Sequence, residues 1–243
     1  MKSLPKPTQN LNLLRFLVEL RRRLILSALV VLVLFFGLAY FSNPLYHWLA
    51  LPLLKNLPHG SNLIATQIIS PFWIPFKFSM VVAFWLALPF LLYQLWAFIA
   101  PALYHSERRL VWPLLFVSTS LFYLGMAFAY FLIFPLLFGF ITQSAPENVL
   151  VTPDISQYLD FTLKLLFVFG AIFEVPVITT MLVLTGVTSR ERLSSWRPYA
   201  IVGAFILGML LAPPDVFSQT LIAIPLWLLF EIGLFCSRFI EKK

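Results

Sequence analysis

Charge is the scarcest ingredient of this sequence: Asp, Glu, Lys and Arg make up 11% of its 243 residues, while 60% are hydrophobic. Soluble globular domains are roughly a quarter charged, so a soluble fold is excluded. The mean hydropathy of +0.91 points to a protein whose solvent is lipid. Cysteine is nearly absent; the lone Cys236 rules out an internal disulfide framework and a multi-cysteine metal site. HExxH, GxSxG and P-loop motifs are missing, and His47, His59 and His105 are scattered through loops. Metal-dependent, hydrolytic and nucleotide-driven chemistry therefore have no footing, and no cofactor is implied. His105 and Ser106 adjoin Glu107, but neighbours in sequence do not make a triad. No internal repeat supports an inverted-repeat transporter. The first apolar run is too long for a secretory signal and lacks a small-residue cleavage site, so the N-terminus is expected to stay in the cytoplasm.

What is abundant is long apolar runs. A helix needs about 20 mostly apolar residues to cross roughly 30 Å of hydrocarbon. The runs predict six spans, over residues 24–41, 76–100, 110–142, 158–184, 199–212 and 216–236, in one transmembrane domain covering 1–243. The net charge of +7 is spread along the ends of these runs, so it reads as topology and not as a nucleic-acid patch. With the N-terminus inside, all 17 basic residues except Lys55, Lys77 and Lys164 fall on the cytoplasmic side, and both termini are cytoplasmic. The expected fold is an all-α integral membrane protein. Prolines at Pro89, Pro101, Pro113, Pro135, Pro176 and Pro225 predict kinked helices. The last two spans are expected to be short, because Pro213-Pro214 and Glu231 limit them. The segment from Asn43 to Trp73 is apolar but broken by prolines, so it is expected to lie on the outer surface; Ser144 to Gln157 reads as a plain polar loop.

The acids carry the functional signal. Glu19 in "LVELRRRL" and Glu107 in "YHSERRL" both sit at the cytoplasmic entrance of a span, each followed by arginines. One reading is local neutralisation: Glu19 reaches Arg22 or Arg23 at i+3 or i+4, a pair worth a few tenths of a kcal/mol. Glu107 likewise suits the start of a helix. The other is a pair of carboxylates, partly desolvated, that accept guanidinium groups from another chain through paired hydrogen bonds. Glu174 in "GAIFEVPV" lies about 15 Å from the cytoplasmic end of its span, with no partner on its own helix. It must face protein or a watery cavity, meet a group from another helix, or be protonated. Asp160 and Lys164, spaced i, i+4, read as a paired couple.

Four segments resemble the signature regions of the TatC family, the multispanning subunit of the twin-arginine protein translocase. They are "LVELRRRL" at 17–24, "YQLWAFIAPALYHSERR" at 93–109, "FEVPV" at 173–177 and "LLAPPDVFSQ" at 210–219. The resemblance covers nearly the whole chain and implies a concave, glove-like receptor in the bacterial cytoplasmic (inner) membrane. Such a receptor binds twin-arginine signal peptides of folded precursors and recruits the single-span subunits TatA and TatB, for export driven by the proton-motive force. It implies no enzyme activity, a homo-oligomeric complex in the bilayer, and no nucleic acid. By this likeness Glu19 and Glu107 accept the arginine pair, with Arg21, Arg23, Phe98 and Leu103 shaping the site. Glu174 is the intramembrane polar group. Pro52 serves assembly, Asp215 lies in the outer hairpin, and Met209, Leu210, Phe217 and Gln219 fall where partners dock. The family often has a histidine three residues before the N-terminal glutamate; here it is Phe16, so an imidazole beside Glu19 is not expected. Two alternatives stay open: a proton-coupled small-solute transporter using Glu174, and an intramembrane enzyme.

Overall fold

The computed structural model describes residues 8–40, 64, 66, 68–99, 111–143, 154–211 and 215–240. They form helices α1 (Thr8–Ala39), α2 (Ser70–Ile99), α3 (Val111–Phe128), α4 (Phe134–Gln143), α5 (Ile155–Ile172), α6 (Val175–Leu184), α7 (Arg190–Ser194), α8 (Arg197–Leu211) and α9 (Val216–Ile240). A π-helical turn, Ala129–Ile133, joins α3 to α4. Five stretches are long and apolar enough to cross a membrane: Leu17–Ala39, Phe72–Phe98, Trp112–Phe140, Ile155–Leu184 and Val216–Arg238. The fifth predicted span, 199–212, is the 15-residue α8, only about 22 Å long. The expectation that the last span is also short is corrected: α9 runs 25 residues straight through Pro225. Glu231 does not end it, because Arg197 neutralises that carboxylate in a two-bond pair at 2.7 and 2.9 Å. The first helix, conversely, begins well before its apolar part, so Glu19, Arg21 and Arg23 stand on α1 itself.

Proline explains where the long helices change geometry. Pro89 has no N–H to offer the Trp85 carbonyl four residues back, yet α2 continues. The Tyr123 hydroxyl on α3 donates to that carbonyl at 2.8 Å, which replaces the missing bond and ties the two helices together. The π-helical turn ends two residues before Pro135, whose ring denies the Phe131 carbonyl its usual donor. Pro176 likewise withholds a bond from Ile172, and here the span breaks, at Phe173 and Glu174, between α5 and α6.

α2 packs against α1, α3 and α5; α3 packs on α5, and α9 on α6 and α8. Lipid supplies no hydrophobic drive between helices, so close backbone approach at small residues does much of the holding. A Cβ on Gly125 of α3 would lie 2.6 Å from the Phe169 carbonyl oxygen of α5. One on Gly233 of α9 would lie 2.1 Å from the Thr179 hydroxyl of α6. Phe134, Leu159, Leu165, Phe169 and Ile222 fill the interior, while Phe36, Phe116, Phe131 and Tyr199 are left on the outer surface, where lipid is their solvent.

The loop expected to be plain ends in a capped and stapled helix start. Asp154 caps α5, its Oδ1 accepting from the backbone N–H of Ser156 and Gln157 at 2.8 and 3.1 Å. Its Oδ2 accepts from the Thr66 hydroxyl and N–H at 2.6 and 2.9 Å. The Ile155 N–H adds a backbone bond to Ile64. These donors, the Thr66 hydroxyl foremost, hold the Asp154 carboxyl down at about 2 from an ordinary 3.8. The expected Asp160–Lys164 couple does not form. Asp160 instead pairs with Lys77 of α2 at 2.5 Å, because α2 brings an ammonium across at the same depth.

Candidate functional site

Two polar centres stand on either side of α2, near the end of that helix away from Ser70. The first begins with Glu19 and Arg23, one turn apart on α1 with the acid first, the favoured order for an i, i+4 pair. Both of Arg23's bonds to the acid go to the same oxygen: Nε and Nη2 reach Glu19 Oε1 at 3.0 and 2.7 Å. The guanidinium is also tied to α2. Nη1 donates to Gln94 Oε1 at 2.9 Å and Nη2 to the Ala97 carbonyl at 3.2 Å. Gln94 and Ala97 are three residues apart and so share a helix face. Gln94 is buried, whereas the Glu19 side chain keeps 42% of its exposure. Glu19 Oε2 accepts no hydrogen bond among the described residues. The result is a carboxylate aimed by an arginine that α2 holds still, with one oxygen open. Phe98 follows on the last turn of α2, partly buried, and Arg21 is exposed.

The second centre is Glu174, at the break between α5 and α6. It occupies the cap position of α6 without making a capping bond. The Ser118 hydroxyl of α3 donates to its Oε2, while Oε1 is buried and has no hydrogen-bond partner among the described residues. A cavity of about 420 Å³ opens beside it, walled by Leu92, Leu95 and Trp96 of α2 and by Ile178 and Met181 of α6. Trp96 Nε1 is also buried, with no partner among the described residues. An unpaired acceptor and an unpaired donor thus border one apolar space, where native interiors rarely leave such groups alone.

A third region is the α8–α9 hairpin. Met209, Leu210 and Phe217 are exposed, and Phe217 stacks on Phe140 of α4 with centroids 4.6 Å apart. Asp215 accepts from the Ser218 N–H at 2.7 Å and so caps α9. Gly208 lets the two helices close up: a Cβ there would lie 3.0 Å from the Gln219 carbonyl oxygen.

Of the residues singled out in the sequence, Glu19 and Arg23 meet directly, and Phe98 lies on the same stretch of α2. Glu174 is a separate centre, and Met209, Leu210, Asp215, Phe217 and Gln219 gather on the hairpin. Glu107, Leu103 and Pro52 lie outside the described residues. Gln94, Ser118 and Trp96 were not foreseen. Their signal was present: Gln94 is a lone amide in "ALPFLLYQLWAFI", and Ser118 interrupts "WPLLFVSTSLF". Neither says which helix it faces.

Residues 15–225 match the family model described as the Sec-independent protein translocase protein (TatC). The chain is 54% identical over 231 residues to the Sec-independent protein translocase protein TatC of Haemophilus influenzae, and 56% identical over 231 residues to that of Escherichia coli K12. Both alignments cover 95% of this chain and 90% of the relative. Its fold is similar to a crystal structure of a twin-arginine translocase receptor, TatC, with a TM-score of 0.83 and 41% identity, covering 93% of this chain and 99% of that one.

Proposed function

Since the chain belongs to the TatC family, receptors of the Sec-independent twin-arginine protein translocase, we propose that Glu19 and Glu107 form its clamp for the arginine pair of a signal peptide. One observation carries the Glu19 half. A carboxylate offers about four lone-pair sites, and Arg23 takes only those on Oε1. An incoming guanidinium finds Oε2 open, on a side chain already fixed in place, so it loses little ordering entropy on docking. Arg21 and Arg23 add positive charge that repels weakly paired cations and so favours the planar, bidentate ligand. Phe98 and Leu103 border the clamp and meet the apolar part of the peptide.

In this reading six helices cross the inner membrane with both termini cytoplasmic, α8 being the short one. The exposed face of Met209, Leu210 and Phe217, with Gln219 and Asp215, docks the single-span TatA and TatB subunits, and Pro52 supports assembly of several copies. Glu174 acts after recognition, in the step that the proton-motive force drives, and no catalysis is involved. The solute-transporter alternative rested on Glu174 alone, whereas the family membership favours protein export for the chain as a whole.

The test is binding of a fluorescent twin-arginine peptide to the purified full chain. Removing one bidentate charged contact costs about 3 kcal/mol, so Glu107→Gln or Glu19→Ala should weaken binding about a hundredfold. A twin-lysine peptide should bind worse than the arginine form. Undiminished binding by both variants would refute the clamp.

A further inference from the structure

A groove between α1, α2 and α5, in the half of the membrane opposite Glu19, is walled by Val31, Met80, Phe84, Leu163 and Phe167 and encloses about 490 Å³. That is within the size range of built ligand sites, roughly 300–1,000 Å³. Three charges edge it: Lys77, Asp160 and Lys164. They are not equivalent. Asp160 is engaged by Lys77 at 2.5 Å, which leaves Lys164 with no ion-pair partner among the described residues. Lys164 lies about nine residues, or roughly 13 Å, inside the start of α5. An exposed ammonium within a membrane-spanning stretch is costly unless something anionic or wet meets it. The groove therefore joins an apolar trough to a net single positive charge.

We infer that this groove holds one anionic phospholipid, its acyl chain along Met80, Phe84, Leu163 and Phe167 and its phosphate on Lys164. The charge decides the headgroup. One free ammonium matches one phosphodiester, whereas the amine of a zwitterionic headgroup brings a positive charge beside Lys77 and Lys164. The trough decides the source: a free phosphate would satisfy Lys164 but leave the apolar walls unused. α1 makes such a seat accessible, because none of its membrane stretch is buried inside the protein. The inference rests on membrane embedding and not on signal recognition, so either can fail without the other.

The experiment is native mass spectrometry of the full chain in mild detergent, titrated with phosphatidylglycerol, phosphatidylethanolamine or inorganic phosphate. Wild type should retain phosphatidylglycerol in preference to phosphatidylethanolamine, and excess phosphate should not displace it. A Lys near an anionic headgroup contributes about 1 kcal/mol, so K164Q should weaken retention about fivefold and K164R should preserve it. M80W, which fills the trough without altering charge, should weaken it as well. M80W and K164R keep the test decisive if K164Q does not fold. Equal retention of the two lipids, displacement by phosphate, or wild-type retention in M80W would overturn the inference, the last of these showing that the lipid sits elsewhere.

Discussion

Asp154 and Glu174 stand at opposite ends of one helix, α5, and are treated in opposite ways. Asp154 accepts four hydrogen bonds, from two residues of its own helix start and two groups of Thr66. Glu174 accepts one, from Ser118, and keeps an oxygen buried and unpaired beside a cavity. The first carboxylate is spent on structure; the second holds unused bonding capacity, which is what a site needs in order to meet a ligand or a proton.

The sharpest way to break the comparison is to delete each acid. Asp154→Ala should lower the thermal midpoint of the detergent-solubilised protein by several degrees, since a helix cap and a loop staple go together. Glu174→Leu, which removes a buried unpaired oxygen and leaves only the Ser118 hydroxyl without its acceptor, should lower the midpoint less than Asp154→Ala while reducing export of a twin-arginine precursor from vesicles. Equal destabilisation by both would erase the distinction. A smaller effect isolates the one bond Glu174 has: Ser118→Ala strands its second oxygen and should cost about 1–3 kcal/mol in denaturant unfolding. Adding Glu174→Leu to Ser118→Ala should recover most of that loss, because no buried acceptor then remains.

The mildest probe is pH. With its carboxyl held at about 2 against an ordinary 3.8, Asp154 stabilises the folded state above pH 3.8. That contribution disappears as pH falls from 3.8 toward 2, when the folded state too becomes protonated. Protection of the first-turn amides of α5 from hydrogen exchange should fall over this window in wild type. Asp154→Asn should show no such step.

How far the residues alone lead is seen by following particular ones. The apolar runs around Val33, Phe84, Phe122, Leu165 and Leu229 were legible as membrane segments, and Pro176 marked the place where a span breaks. Glu19 was legible as an acid with an arginine within reach on its own helix. That Arg23 is the partner, and that Gln94 from α2 immobilises it, was not, since nothing in "YQLWAFI" names the helix opposite. Asp160 shows how such reasoning misleads: Lys164 at i+4 is the obvious local mate, but Lys77, 83 residues away, takes the carboxylate. Glu231 misled in the same manner, read as shortening the uncharged part of the last span when Arg197 neutralises it.

The sequence by itself determined which segments are long and apolar enough to enter lipid, which orientation their flanking charges predict, and to which family the signature segments point. These properties are sums over neighbours along the chain, because transfer into hydrocarbon is paid residue by residue. Only the tertiary structure decided which polar group meets which, and therefore which acids are satisfied and which are left waiting. Inside a membrane no water can take a missing partner's place, so those pairings depend on the helix that happens to lie alongside.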